Sequence, residues 1–402
     1  MAEKKSSLLE RNVKVLEVKS LLSGTYDRIH RVIYQPFILS LNPSMSSLGI
    51  LEGIGGYQGL LGALIKPFFG WLSDRMKKKP FIIIGSLLMS LSISLFLISS
   101  ITQTFLFIIP AVILMGASSL AMPIIESLVA ESVETSKRAM AYSRIMLATI
   151  TPGIFSPLIG GIIADRYGFK NVLYIGIIIQ GVIILFLIRF LRENPASKRI
   201  VNFTELRSFF LRNFSPPKNL RNIYLMNMLD AFAMCLSLNI MYGLLRVNFE
   251  FSNSQLGLID IINAASMMFS HLVTGRMVTK YGSKNLLIIS YCVYLAYISG
   301  IIASKDFLTV LLFQIPGGIC VALWSPAHQT LMANSTTQTE RAEAMGRISF
   351  YRGISGFFSP FIGGLLYEQY GYSAPLLTSI IWGIGVTSYI YFYIRVKDNR
   401  LI

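Results

Sequence analysis

Four polar residues interrupt an apolar stretch early in the chain: Asp27, Arg31, Tyr34 and Gln35. Their spacing of i, i+4, i+7 and i+8 places them on one face of a helix, where Asp27 and Arg31 can pair across a single turn. A charge at the centre of a bilayer costs about 2.5–3.5 kcal/mol, so ionisable groups there point to solute binding or proton transfer. If the helix enters the membrane later, Asp27 and Arg28 instead snorkel at the interface. Asp230 stands among Met228, Leu229, Ala231 and Phe232 with no partner in its own stretch. A desolvated carboxyl there either loads a proton or is satisfied from another helix. Glu126 and Gln329 each follow a proline by three residues (Pro123, Pro326), where an interrupted helix frees backbone carbonyls. Arg352, with Arg28 and Arg31, offers a fork for a carboxylate.

This is the chemistry of binding and relay. His30, His271 and His328 lack the spacing of a metal motif, and His271 and His328 read as core hydrogen-bonders. Cys235, Cys292 and Cys320 fall singly within apolar stretches, as small hydrophobes do. There is no glycine-rich phosphate loop of the ATPase type. The expectation is a protein with no metal, no cofactor and no catalytic residues, and not an enzyme.

The elements that carry these residues must be membrane helices. The 402 residues are 53% hydrophobic and only 14% charged, with a mean hydropathy of +0.59, whereas soluble chains carry about a quarter charged residues. The net charge of +16 gathers between apolar stretches, so it reads as anchoring to a lipid bilayer and not as a nucleic-acid surface. A span needs about twenty residues. On that scale twelve spans are expected, near 19–42, 46–71, 80–101, 104–131, 138–165, 170–192, 220–246, 254–279, 284–303, 307–333, 342–368 and 373–394.

Loop charges set the orientation. Lys77–Lys79, Lys137, Arg138, Arg276, Lys280, Lys284 and Arg341 fall on one side, while the turns at 42–46, 101–104 and 369–373 carry no base. Arg166 and Lys170 break the pattern. The bias puts both termini in the cytoplasm. The first twenty residues are charged and amphipathic, an interfacial segment and not a signal peptide. A basic interval at 193–219, with a surface helix expected around Thr204–Phe214, links six-helix bundles at 1–192 and 220–402.

The two bundles are copies. Shifted by 203 positions, Pro123–Gly168 lies on Pro326–Gly371 without a gap, and about eighteen of the forty-six positions are identical. The matches include Arg138/Arg341, Arg144/Arg347, Gly153/Gly356, Ser156-Pro157/Ser359-Pro360 and Gly160-Gly161/Gly363-Gly364. Spans four and five therefore match ten and eleven in the same orientation, a parallel repeat.

Between the second and third spans stands Gly70-Trp71-Leu72-Ser73-Asp74-Arg75, followed by Lys77-Lys78-Lys79-Pro80. This resembles the Gly-x-x-x-Asp-Arg loop of the major facilitator superfamily of secondary transporters. The second half keeps a worn copy, Gly275-Arg276 onward, with Thr279 where Asp74 stands. The resemblance implies an all-α membrane fold of twelve helices in two parallel-related halves, with helices 1, 4, 7 and 10 lining a central cavity. Asp27, Arg31, Tyr34, Gln35, Glu126, Asp230, Gln329 and Arg352 are then the substrate and coupling candidates. It also implies a conformational latch, in which Gly70, Asp74 and Arg75 work with Arg341 and Arg347 at the start of helix 11, and Gly275 and Arg276 form the weaker counterpart.

Helices 5 and 11 both carry Ser-Pro-x-Ile-Gly-Gly, through Pro157, Gly160 and Gly161 and through Pro360, Gly363 and Gly364. The pattern is similar to the Gly-Pro-x-x-Gly-Gly of drug/proton antiporters but departs from it at Ser156. Its recurrence in both halves reads as symmetric helix packing. The function implied is alternating-access transport of a small organic solute, coupled to protons, by a monomer in the plasma membrane. Efflux of drug-like, hydrophobic compounds stands ahead of uptake of an organic anion or sugar. A non-transporting sensor would need a larger soluble domain than 193–219 provides.

Overall fold

With no water in the hydrocarbon layer, each apolar stretch must satisfy its backbone internally, and a helix does so within one segment. The computed structural model of the chain describes residues 2–56, 59–73, 77–134, 138–192, 220–336 and 341–394. Every regular element among them is helical. They are α1 (Ala2–Leu41), α2 (Met45–Gly55), α3 (Leu60–Ser73), α4 (Lys78–Thr102), α5 (Ile108–Ser118), α6 (Ala121–Ser132), α7 (Arg138–Ile150) and α8 (Ser156–Tyr167). Then come α9 (Phe169–Phe190), α10 (Arg221–Leu238), α11 (Met241–Phe249), α12 (Asn253–Tyr281), α13 (Ser283–Ala303), α14 (Phe307–Ser335), α15 (Arg341–Tyr370) and α16 (Ser373–Tyr393).

Among the described residues nine helices are long and apolar enough to cross a membrane, or ten if one bent pair counts as a single span. The remaining two of the twelve expected stretches are α1 and α15, of 40 and 30 residues, which are long enough but more charged. Large apolar side chains stay on the outside, among them Leu272 at 76%, Leu185 at 69% and Ile178 at 66% exposed. Lipid is the solvent that tolerates them. The bent pair is the fifth span, where Pro152 opens a 3-10 turn (Thr151–Ile154) and the chain turns by 41°. Its copy α15 has Ser355 at that place and runs on unbroken through Pro360. Three spans end on a Tyr-Gly turn, where Gly168, Gly282 and Gly371 take φ of +81°, +80° and +81°, a region glycine enters without strain.

The chain forms two compact units. Unit 1 contains Met1–Pro43, Ile54–Arg207 and Ser252–Gly257, and unit 2 contains Ser44–Gly53, Ser208–Phe251 and Leu258–Ile402. The opening of the second span thus packs with the C-terminal half, and the opening of the eighth with the N-terminal half. Unit 1 is built on Leu16, Ile82, Ile124, Leu128, Ile183 and Leu187. Its N-terminal segment is tied down by Asn12, which exchanges two hydrogen bonds with the Arg192 backbone at 3.2 and 3.1 Å.

The paired glycines of the Ser-Pro-x-Ile-Gly-Gly motif face two ways. In unit 1 a Cβ on Gly160 would overlap Ile29 of α1, and one on Gly161 would overlap the backbone of Asn253. In unit 2 a Cβ on Gly363 would overlap the backbone of Leu236 in α10, and one on Gly364 that of Met45. Small residues let the helix backbones touch.

Candidate functional site

Unit 2 holds a buried polar cluster drawn from four helices. Asn227 and Asp230, three residues apart, share one face of α10. Tyr291 comes from α13, Trp324 and His328 from α14, and Arg352 from α15. Arg352 Nη1 donates to Asp230 Oδ2, an ion pair whose side chains are 13% and 1% exposed. Tyr291 donates its hydroxyl to Asp230 Oδ1. Asp230 therefore has its partners on other helices.

The arginine has a second set of neighbours. Its Nη1 reaches Asn227 Oδ1 at 3.3 Å, and His328 Nε2 lies 2.7 Å from the same oxygen. Asn227 Nδ2 donates to Ile223 O at 2.8 Å, which fixes the amide so that Oδ1 accepts and His328 Nε2 donates. The guanidinium sits 5.0 Å above the Trp324 ring, and that ring stacks on His328 at 4.4 Å and 8°. An indole face attracts a cation by its quadrupole.

The other candidates divide by environment. On α1, Asp27 and Arg31 are exposed, whereas Tyr34 and Gln35 are buried. Tyr34 packs 5.0 Å from His30 and 5.8 Å from Phe96 of α4. Asp27 lies within charge range of Lys19 and Arg28. Glu126 and Gln329 are both exposed, and Lys66 of α3 lies within charge range of Glu126. The Glu126 carbonyl accepts from Tyr142 at 2.8 Å.

Of the expected latch, Asp74 and Arg75 lie outside the described residues, as do the side chain of Arg341 and the 193–219 interval. A Cβ on Gly70 would meet Pro123 Cβ at 3.4 Å, while one on Gly275 would meet nothing within 4 Å. Arg276 is exposed, Arg347 is buried, and Thr279 donates its hydroxyl to its own helix at Arg276 O, 2.8 Å away.

A match to the family model of the Major Facilitator Superfamily covers residues 20–247 and 223–401. The chain belongs to the major facilitator superfamily. Among curated relatives it is 22% identical over 350 residues to the multidrug resistance protein MdtG of Salmonella schwarzengrund (strain CVM19633), covering 85% of this chain and 84% of that one. The MdtG of Klebsiella pneumoniae (strain 342) is 24% identical over 334 residues, or 80% and 77% of the two chains. Among solved structures, a point mutant of the nucleoside transporter NupG aligns with a TM-score of 0.77 at 14% identity, over 94% of this chain and 98% of that one. A D-xylose-proton symporter aligns at 0.72 and 14%, over 98% and 99%. The protein is an integral, multi-pass membrane transporter of small molecules.

The repeat of this superfamily member sharpens the site. Asp230 lies 203 positions after Asp27, the offset of the gap-free block, and Asn227 and Arg352 lie 203 after Gly24 and Thr149. In unit 1, Gly24 touches the Thr149 backbone, so close that a Cβ would stand 2.5 Å from its carbonyl oxygen. Where unit 2 has Trp324 and His328, unit 1 has Ala121 and Ile125 in its apolar core. At these repeat positions unit 1 keeps the acid, as Asp27, but has Thr149, Ala121 and Ile125 where unit 2 has Arg352, Trp324 and His328. Apolar replacement of a buried pair is often neutral or stabilising by about 1–4 kcal/mol, so its burial is weak evidence for a stabilising role. Tyr291 and Lys66 were not singled out by sequence reasoning. Lys66 is the one charged residue of α3 and Tyr291 is one of three tyrosines on α13, and only the packing shows what each meets.

Proposed function

We propose that this transporter exports hydrophobic, drug-like solutes by alternating access, in exchange for protons, with Asp230 as the proton carrier and Arg352 as the group that responds to its charge. The observation that carries this reading is the buried Asp230–Arg352 pair with its Tyr291 donor. Protonation of Asp230 releases Arg352 toward Asn227 and Trp324, and solute and proton then compete for one local charge balance. The MdtG relatives, at 22% and 24% identity, carry the name of multidrug resistance proteins, which favours export over uptake. The protein works as a monomer in the plasma membrane with both termini cytoplasmic. Its halves, 1–192 and 220–402, alternate access to the solute, Asp27, Arg31, Glu126 and Gln329 are further candidates for contact with it, and the Asp74 loop latches the inner side.

The test is transport by the purified protein in liposomes with an imposed pH gradient, offered a cationic dye, an organic anion and a sugar. Dye should accumulate against its gradient. Asp230→Asn should abolish accumulation while exchange of labelled for unlabelled dye continues. Accumulation of the anion or the sugar, with the dye left in place, would overturn export of drug-like solutes.

A further inference from the structure

Two carboxylates outside the polar cluster stand 203 positions apart: Asp165, near the end of α8, and Glu368, near the end of α15. In unit 1, Asp165 Oδ1 accepts from Asn253 N at 3.0 Å and Asn253 Nδ2 at 2.8 Å. Its Oδ2 accepts from Ser254 N at 2.8 Å and from the Ser254 hydroxyl. In unit 2, Glu368 Oε1 accepts from Ser44 Oγ at 2.9 Å, Ser46 N at 2.9 Å and Ser46 Oγ at 3.1 Å. The donors lie in Ser252–Gly257 and Ser44–Gly53, the two segments that pack with the opposite half of the sequence.

These bonds are more than helix caps, because both helices are already capped locally. At the start of α12, Ser252 Oγ accepts from Gln255 N at 3.2 Å, and Gln255 Oε1 accepts from Ser252 N at 2.9 Å. At the start of α2, Ser44 Oγ accepts from Ser47 N at 3.1 Å. The carboxylates add ties that span 88 to 89 and 322 to 324 residues of chain. Beneath each tie the backbones touch through glycine. A Cβ on Gly257 would stand 2.6 Å from Pro157 O, and one on Gly49 would overlap Pro360 O. Pro157 and Pro360 are themselves repeat partners. Asp165 and Glu368 are exposed, so water can replace each donor as it leaves. Hydrogen bonds to an ionised carboxylate are strong, and exposed ones exchange for water without a large barrier.

We propose that Asp165 and Glu368 are a matched pair of clasps, positioning residues that hold the starts of the eighth and second spans and must let go for those ends to open. On the proposed topology this is the outer side. The proposal goes beyond the reading of solute and proton, and its test uses neither.

In a background with Cys235, Cys292 and Cys320 replaced, cysteine is placed at Leu256 or at Leu48, both 0% exposed. Labelling with a membrane-impermeant maleimide then reports release of each segment. Asp165→Asn should speed labelling of Leu256→Cys, and Glu368→Gln that of Leu48→Cys, each by about tenfold, the scale of losing one hydrogen bond to a charged group. The milder Ser254→Ala should give a smaller rise at Leu256→Cys, and Asp165→Glu should restore the slow rate. Cysteines at Ile183 and Val386, buried in the two units, serve as controls. Unchanged labelling at 256 and 48 in the variants overturns the proposal. An equal rise at 183 and 386 also overturns it, since the carboxylates would then hold the fold and not a gate.

Discussion

Replacing Asp230 by asparagine keeps the side chain's shape and removes its charge, so it isolates what the pair with Arg352 contributes. Asp230 is 1% and Arg352 13% exposed, which leaves water little access to the bared guanidinium. Arginine does not shed its proton, and removing one member of a buried pair costs about 3–5 kcal/mol. Arg352→Gln should cost less, about 1–3 kcal/mol, because a stranded carboxyl can be neutralised by a proton. The double variant Asp230→Asn, Arg352→Gln strands neither charge and keeps neutral donors and acceptors toward Tyr291 and Asn227. It should unfold within about 1 kcal/mol of the parent. Denaturant unfolding of the four proteins in detergent closes a double-mutant cycle, and a coupling of about 2 kcal/mol or more is expected. Additive losses, with the double variant the least stable, would refute the reasoning.

Further outcomes follow from the packing. Gly160→Val and Gly363→Val should each destabilise their unit by about 1–3 kcal/mol in the same unfolding assay, since each glycine lies tight against a neighbouring helix. Gly181→Ala, in the interior of α9 with nothing within 4 Å, should be neutral or stabilising by up to about 1 kcal/mol. Thr279→Ala should leave transport rates near the parent because that hydroxyl is spent on Arg276 O. Asp74→Asn should slow transport while leaving solute affinity, measured by equilibrium binding, nearly intact. Asn12→Ala removes two bonds to the Arg192 backbone and should raise proteolytic cleavage within residues 1–20 several-fold.

Much of the fold was legible because the bilayer imposes it: apolar stretches of spanning length, a gap-free repeat and turn glycines each have one physical reading. The repeat offset of 203 also held information about the site. Applied beyond the block, it pairs Asp27 with Asp230 and, inside it, Asp165 with Glu368. What spacing does not reveal is the partner. The face Asp27–Arg31–Tyr34–Gln35 has helical period, yet its first two members are exposed and its last two buried, because the packing of neighbours such as Phe96 of α4 against α1 decides that and no local rule encodes it. Asp230 looks solitary in its own helix, and its counter-charge lies 122 residues away on α15.

The most direct measurement of the central account is proton exchange on solute binding. Purified protein in a weakly buffered detergent solution is mixed with saturating cationic dye while pH is recorded. Over a series of starting pH values the parent should release protons, up to about one per protein where Asp230 begins protonated, Asp230→Asn should release none at any of them, and the conservative Asp230→Glu should retain part of the signal. Equal proton release from the parent and from Asp230→Asn would contradict the account.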